Sequence, residues 1–202
     1  MARTPKTTED RREDILNAAI QVFGDHGFTR ATNKDIAREA GISPGLIYHY
    51  FESKAALLDA ILQERSPLRV IRALPAEALD QPPERFLRML LRQVIQTVET
   101  DQFLRVIRVF LSEVTHNPEL APAGSTLLKA GIGFLASYLG RQMERGTLRR
   151  GDPELIAQTM MGALIGFELR RHILHDADAL RYSTDEIVET IVTTTLEGLL
   201  PR

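Results

Sequence analysis

Cysteine is absent from this chain of 202 residues. Its absence excludes disulfides, zinc–thiolate sites and thiol catalysis together, and fits a reducing compartment, the cytoplasm. Long apolar runs are also missing. The longest, Met160 to Phe167, is too short to span a bilayer. Met1 to Lys6 has no apolar stretch behind it, so no secretory leader is expected. No sign of charge dominates, since the net charge is −2. In residues 1–54, Arg3, Lys6, Arg11, Arg12, Arg30, Lys34, Arg38 and Lys54 are balanced by Glu9, Asp10, Glu13, Asp14, Asp25, Asp35, Glu39 and Glu52. Any nucleic-acid binding must therefore come from local placement of charge and not from a basic domain. Period-two alternation is lacking, as are G-x-S-x-G and H-E-x-x-H, so neither strands nor catalytic residues are expected.

What the chain does have is helical period almost throughout. Ile15, Ala18, Ala19, Val22 and Phe23 fall on one stripe, which Gly24 and Gly27 bracket. Thr32 with Asp35 three residues on resembles a capping box, followed by Ile36, Ala37 and Ala40. Gly41 ends that helix, and Ser43-Pro44 opens a brief one ending near Phe51. Ser53 caps another, with Leu57, Leu58, Ile61 and Leu62 inward. A proline-rich shift over 66–82 marks a boundary, giving domains 1–66 and 67–202. Five longer helical stripes follow: Leu87 to Val98, Phe103 to Val114, Leu128 to about Arg145, Pro153 to about Leu174, and Thr184 to near Leu199. The expected fold is all-α with about nine helices: an N-terminal three-helix helix-turn-helix domain, then a helical bundle.

Thr32 to Lys54 carries the function. A helix, a tight turn at Gly41-Ile-Ser43 and a short second helix must cross steeply, which presents a helix start toward a major groove. Pro44 and Gly45 lack bulk and permit close approach to base edges. Pro44 and Leu46 can pack on thymine methyls, and Lys34 can reach guanine acceptors. Thr32, Asn33, Tyr48, His49 and Tyr50 can bond phosphates. Lys54, in the first turn after Ser53, adds its charge to free amides as a phosphate anchor. The competing reading makes Tyr48 and Tyr50 core aromatics, the role expected of Phe51. Arg3, Lys6, Arg11 and Arg12 read equally as a minor-groove arm or as a solvated terminus.

These residues resemble the DNA-binding domain of the TetR/AcrR family of bacterial regulators. The resemblance is carried by Gly27-Phe28, Thr32, Asp35-Ile36-Ala37, Ala40 to Ser43, Gly45, Ile47 to Phe51, Ser53-Lys54, Leu57 and Leu58. It implies base-facing roles for Lys34, Pro44, Gly45, Leu46 and Tyr48. It implies backbone roles for Thr32, Asn33, His49, Tyr50 and Lys54. Ser43 starts the recognition helix. Two departures alter the expected base preference: Leu46 where threonine is common, and the negative Glu52 beside the backbone site.

The resemblance also implies a cavity in the second domain for an apolar or amphipathic effector. Phe86, Met89, Gln93, Phe103, Phe110, Glu113, Phe134, Tyr138, Met160 and Phe167 are its candidate lining. Gly162 and Gly166 in an apolar helix, with Met161 and Ile165, suggest close packing against a second copy. Ile187, Ile191 and Val192 on the last helix would complete a four-helix homodimer interface, as the family builds. The expected protein is a repressor released from a palindromic operator by its effector, with double-stranded DNA, a small molecule and a second copy as partners. The alternative is a helical DNA-binding regulator with no effector.

No cofactor or metal is expected. Gly131-Ile-Gly-Phe-Leu-Ala136 fits G-x-G-x-x-A, yet no strand precedes it and it lies inside a helical stripe. His172, His175, Asp176 and Asp178 are the densest group of metal-ligating types, but at a helix end histidines also cap carbonyls. A tightly bound metal in purified protein would favour a helical enzyme instead.

Overall fold

The computed structural model describes residues 7–199. Arg3 and Lys6 of the expected arm lie outside the described residues. Arg11 and Arg12 belong to the first helix, α1 (Thr8–His26), which a capping box of Thr7 and Asp10 opens. Then come α2 (Asn33–Ala40), α3 (Pro44–Tyr50), α4 (Lys54–Arg65), α5 (Leu68–Ala73) and α6 (Pro83–Val98). After them run α7 (Asp101–Glu113), α8 (Ala121–Glu144), α9 (Pro153–Glu168), α10 (Ala177–Leu180) and α11 (Thr184–Leu199). There is no strand among the described residues. The two helices beyond the expected nine are α5, which prolines 67 and 75 bound closely, and the single turn α10.

The chain divides into two compact units. One holds residues 1–65 and 101–125; the other holds 66–100 and 126–202. In the first, the stripe Ile15, Ala19 and Phe23 meets Ile36, Ile47, Phe51, Leu58 and Leu62 in one core. The second-domain stripe expected from Phe103 to Val114 supplies Val106, Val109 and Phe110 to that same core, with Leu120 after it. Polar ties follow the same path: Gln102 donates to Asn17 at 3.1 Å and Arg105 to Gln21 at 3.3 Å. A periodic stripe shows which face is buried, but not which partner buries it.

The second unit packs Phe86, Leu87, Leu90, Leu91 and Ile95 of α6 against Leu135, Tyr138 and Leu139 of α8. Met160 and Leu164 of α9 and Ile187, Val188, Ile191 and Val192 of α11 close this core. Phe86 and Tyr138 stack with centroids 4.0 Å apart. Tyr138 Oη donates to the Gln81 carbonyl at 3.0 Å. Arg88 forks onto Glu189 at 2.7 Å through both Nε and Nη2, which ties α6 to α11. The Asp152 side chain caps α9, whose end opens into a π-turn over Leu169–Ile173.

Candidate nucleic-acid interface

Two local devices set the helix-turn-helix. Thr32 and Asp35 form a reciprocal capping box at the start of α2. The Thr32 hydroxyl donates to Asp35 at 2.6 Å, and this bond above all holds the Asp35 carboxyl below its usual range. Gly41 then ends α2 in the left-handed region, at φ 65°, where a side chain is costly. Ile42 N–H reaches back to the Ala37 carbonyl at 3.0 Å. Pro44 starts α3 at once, since its missing N–H is an orphan there anyway. Ile47 on the inner side of α3 is buried, as is Phe51 after it.

The outer side of α3 is exposed. Ser43, Pro44, Gly45 and His49 face solvent, and Tyr48 is 62% exposed. A Cβ at Gly45 would meet nothing within 4 Å, so this surface is open. Leu46 and Tyr50 are half-buried. The Tyr50 ring lies edge-on to His49, at 5.2 Å between centroids. Thr32 and Lys34 are exposed, and Asn33 is half-buried. All eleven residues expected at DNA therefore have at least part of their surface outward.

Lys54, itself half-buried, differs in where its ammonium is engaged. Its Nζ donates to the carbonyls of Phe28, Thr29 and Ala31, at 2.5, 3.1 and 2.9 Å. It also lies 4.5 Å above the centre of the Phe28 ring. Burial pushes its pKa below the usual lysine value. The ammonium closes the α1–α2 loop and does not extend over the surface, so the expected phosphate anchor is corrected to an internal tie. Glu113 holds the same loop: its carboxylate accepts from Thr29 Oγ1 at 2.7 Å and from Asn117 at 2.8 Å. Ser53 Oγ does cap α4, by accepting from Ala56 N–H at 3.0 Å.

The expected ligand residues are not brought together. Phe103, Phe110 and Glu113 belong to the first unit, where Phe110 fills the core and packs on Gly124. Phe86, Tyr138 and Met160 are sealed in the second core, with Phe134 and Phe167 packed against it. Only Met89 and Gln93 of the ten line the open groove of about 540 Å³ in that unit. Its other walls are Val70, Ala73, Leu74, Pro75, Ala78, Gln81, Gln96, Thr97 and Thr100. Sequence reading missed the α5 side of this groove. Val70, Ala73 and Leu74 have helical spacing, but the prolines on either side made the segment look like linker.

On α9, Gly162 and Ile165 are exposed, and Met161 and Gly166 are half-buried. Leu155 and Leu169 are also exposed on α9 and on the π-turn that continues it. Ile187, Ile191 and Val192 are turned into their own chain, at 5% exposure or less, because α11 packs its apolar stripe on α6. They are corrected from interface to core. Among the polar groups expected to cluster, His175 and Asp178 are exposed and Asp176 caps α10. His172 instead faces Glu99 and Glu168. Burial above all pushes Glu168 up to about 7, while Arg171 opposes the rise.

Comparison with known proteins agrees in sequence and in shape. Residues 15–61 match the profile described as bacterial regulatory proteins, tetR family, and residues 85–198 match that of the AefR-like transcriptional repressor C-terminal domain. The HTH-type transcriptional repressor BepR of Brucella suis is 30% identical over 83% of this chain and 83% of its own. The regulator UidR of Escherichia coli is 28% identical over 83% and 82%. Among solved structures, the SmeT–triclosan complex superposes with a TM-score of 0.76 at 24% identity, over 95% of this chain and 92% of that one. The fatty acid degradation regulator FadR of Bacillus halodurans gives 0.75 at 25%, over 93% and 98%.

Proposed function

The chain belongs to the TetR family of bacterial regulatory proteins, and from that premise we propose that it is a dimeric, cytoplasmic repressor that leaves its operator when a small molecule binds. The observation that carries the reading is α3. It is a seven-residue helix pinned from behind by Ile47 and Phe51, which leaves Tyr48, His49 and the open surface at Gly45 outward. Such a stub can place its first turn against base edges while flanking side chains hold phosphates.

In this reading Lys34, Pro44, Gly45, Leu46 and Tyr48 face bases. Thr32, Asn33, Ser43, His49 and Tyr50 hold the backbone, and Lys54 positions the loop beneath them. Residues 1–66 form the functional DNA-binding domain, and 67–202 sense and dimerise. The groove lined by Met89, Gln93, Gln96 and Thr97 is where an effector docks. Its volume suits a small molecule, and its lining is apolar side chains with amides and hydroxyls and no charge. Triclosan in the SmeT complex is an example of such a ligand. The outward face of α9, with Leu155, Gly162, Ile165, Gly166 and Leu169, pairs with a second copy. Two glycines there permit close approach.

An effector acts only through its different affinity for the two dimer geometries. In the DNA-bound geometry the recognition helices sit about 34–36 Å apart, one turn of duplex. Selection of bound duplexes from random DNA tests the reading. A palindromic site is expected, and Tyr48→Ala should weaken binding to it. Recovery of no preferred sequence would overturn the proposal. The second reading, regulation without an effector, rests on the filled interior around Phe86 and Tyr138. It predicts that no apolar ligand alters operator affinity.

A further inference from the structure

We propose that Glu99, Glu168 and His172 form a binding site for a divalent first-row cation, Zn²⁺ in preference to the harder Mg²⁺ or Ca²⁺. The three residues come from different parts of the second unit. Glu99 follows the last residue of α6, Glu168 is the last residue of α9, and His172 lies four residues on, inside the π-turn. The π-turn adds a residue to the helical repeat, and such bulges concentrate at functional positions.

The spacing is that of ligands, not of hydrogen bonds. His172 Nε2 lies 3.4 Å from Glu168 Oε2 and 3.5 Å from Glu99 Oε1. An N–H···O bond centres near 2.9–3.0 Å, so both separations are too long. Two ligands each about 2.0–2.2 Å from a tetrahedral zinc stand roughly 3.4 Å apart. One donor atom from each of the three residues lies within 4.8 Å of the others. One imidazole with two carboxylates is a mixed N/O set that selects zinc and its neighbours over alkaline-earth ions.

Burial supplies the independent observation. The Glu168 side chain is 8% exposed, and its Oε2 accepts no hydrogen bond. That oxygen points at His172. Leaving such an acceptor unsatisfied is costly, and a cation between the two would satisfy it. The charge count agrees. Arg171 Nη1 lies 2.8 Å from Glu99 and 3.4 Å from Glu168. One guanidinium against two carboxylates leaves the site negative when Glu168 is ionised and the imidazole neutral, the forms that ligate a metal. The competing account is a closed ion-pair cluster in which Arg171 is the cation, and it predicts that no ion binds.

Chelator-treated full-length protein titrated with Zn²⁺ by calorimetry decides between them. One ion per chain is expected, with a Kd of about 1 μM or tighter. Co²⁺ in its place should give the intense visible absorption of a low-coordinate site. Glu168→Gln and His172→Gln should each weaken Zn²⁺ binding by about 10-fold or more, the scale seen when metal-site groups are lost. His26→Gln, on α1 of the first unit, should leave it unchanged. Circular dichroism establishes that each variant is folded. If Glu168→Gln does not fold, His172→Gln, at a position 21% exposed, carries the test. Wild-type protein with no saturable binding below about 100 μM overturns the proposal, and so does equal affinity in His172→Gln.

Discussion

Lys54 and Tyr138 each owe their role to a direction the sequence does not specify. A lysine after a helix cap reads as a phosphate anchor. Here a flexible four-carbon stem turns back and donates to three loop carbonyls. Lys54→Ala should therefore lower stability by about 1–3 kcal/mol, measured by urea denaturation. It should leave the slope of log K against log salt unchanged. A phosphate-bound lysine would instead reduce that slope by about one unit. Tyr48→Phe, which removes an outward hydroxyl, should weaken operator binding without lowering Tm. Tyr138 makes a second prediction at this scale. Burial raises its pKa to about 12 from the usual 10.0. The neutral phenol thus favours the folded state fully below pH 10. Between pH 10 and 12 the unfolded chain gives up its proton first, so stability falls as pH rises. Tyr138→Phe should flatten that alkaline loss in chemical denaturation, although it loses the bond to the Gln81 carbonyl.

At the scale of elements, the helices that a stripe defines were legible, and their neighbours were not. Ile15, Ala18, Ala19, Val22 and Phe23 are all buried, as their spacing requires. Gly41 and Ser43-Pro44 mark the turn at the expected positions because each answers a specific backbone need. The six-residue α5 escaped notice, since prolines on both sides hide so short a period. The apolar stripe of α11 was legible too, but a stripe does not say whether its own chain or another covers it. On α9, Ile165 is 41% exposed. Ile165→Glu should convert a dimer to a monomer in sedimentation velocity. Operator affinity should fall by about 100-fold or more, as when two linked half-sites bind separately. Loss of affinity with the dimer intact would place the interface elsewhere. Gly124 tests packing. A Cβ there would come within 2.4 Å of the Phe110 ring, so Gly124→Ala should cost about 1–3 kcal/mol in thermal unfolding.

For the whole molecule, sensing and DNA binding are linked by free energy and are therefore reciprocal. A ligand that loosens the operator must itself bind less tightly to the DNA-bound protein, by the same factor. Filling the groove with Ala73→Trp should raise the effector concentration needed for release by at least about fivefold, as a loss of about 1 kcal/mol in binding would. Operator affinity without effector should not change. An unchanged dose response would move the sensor site away from α5 and α6. The groove was legible in the sequence only as an apolar, methionine-bearing region. Phe103, Phe110 and Glu113 follow the proline-rich boundary in order, yet all three belong to the first unit, where Phe110 joins the core of α1 and α4 and Glu113 clasps Thr29.

The membership of residues 101–125 in the first unit also bears on how this protein can be cut and recombined. A gene fragment ending at residue 66 would encode the reading head without its lid. Ile15, Leu58 and Leu62 would lose the cover of Val106, Phe110 and Leu120, and the loop at Thr29 would lose its Glu113 clasp. Such a truncate should aggregate or melt early. A chimaera that grafts this head onto a foreign sensor must bring α7 with it.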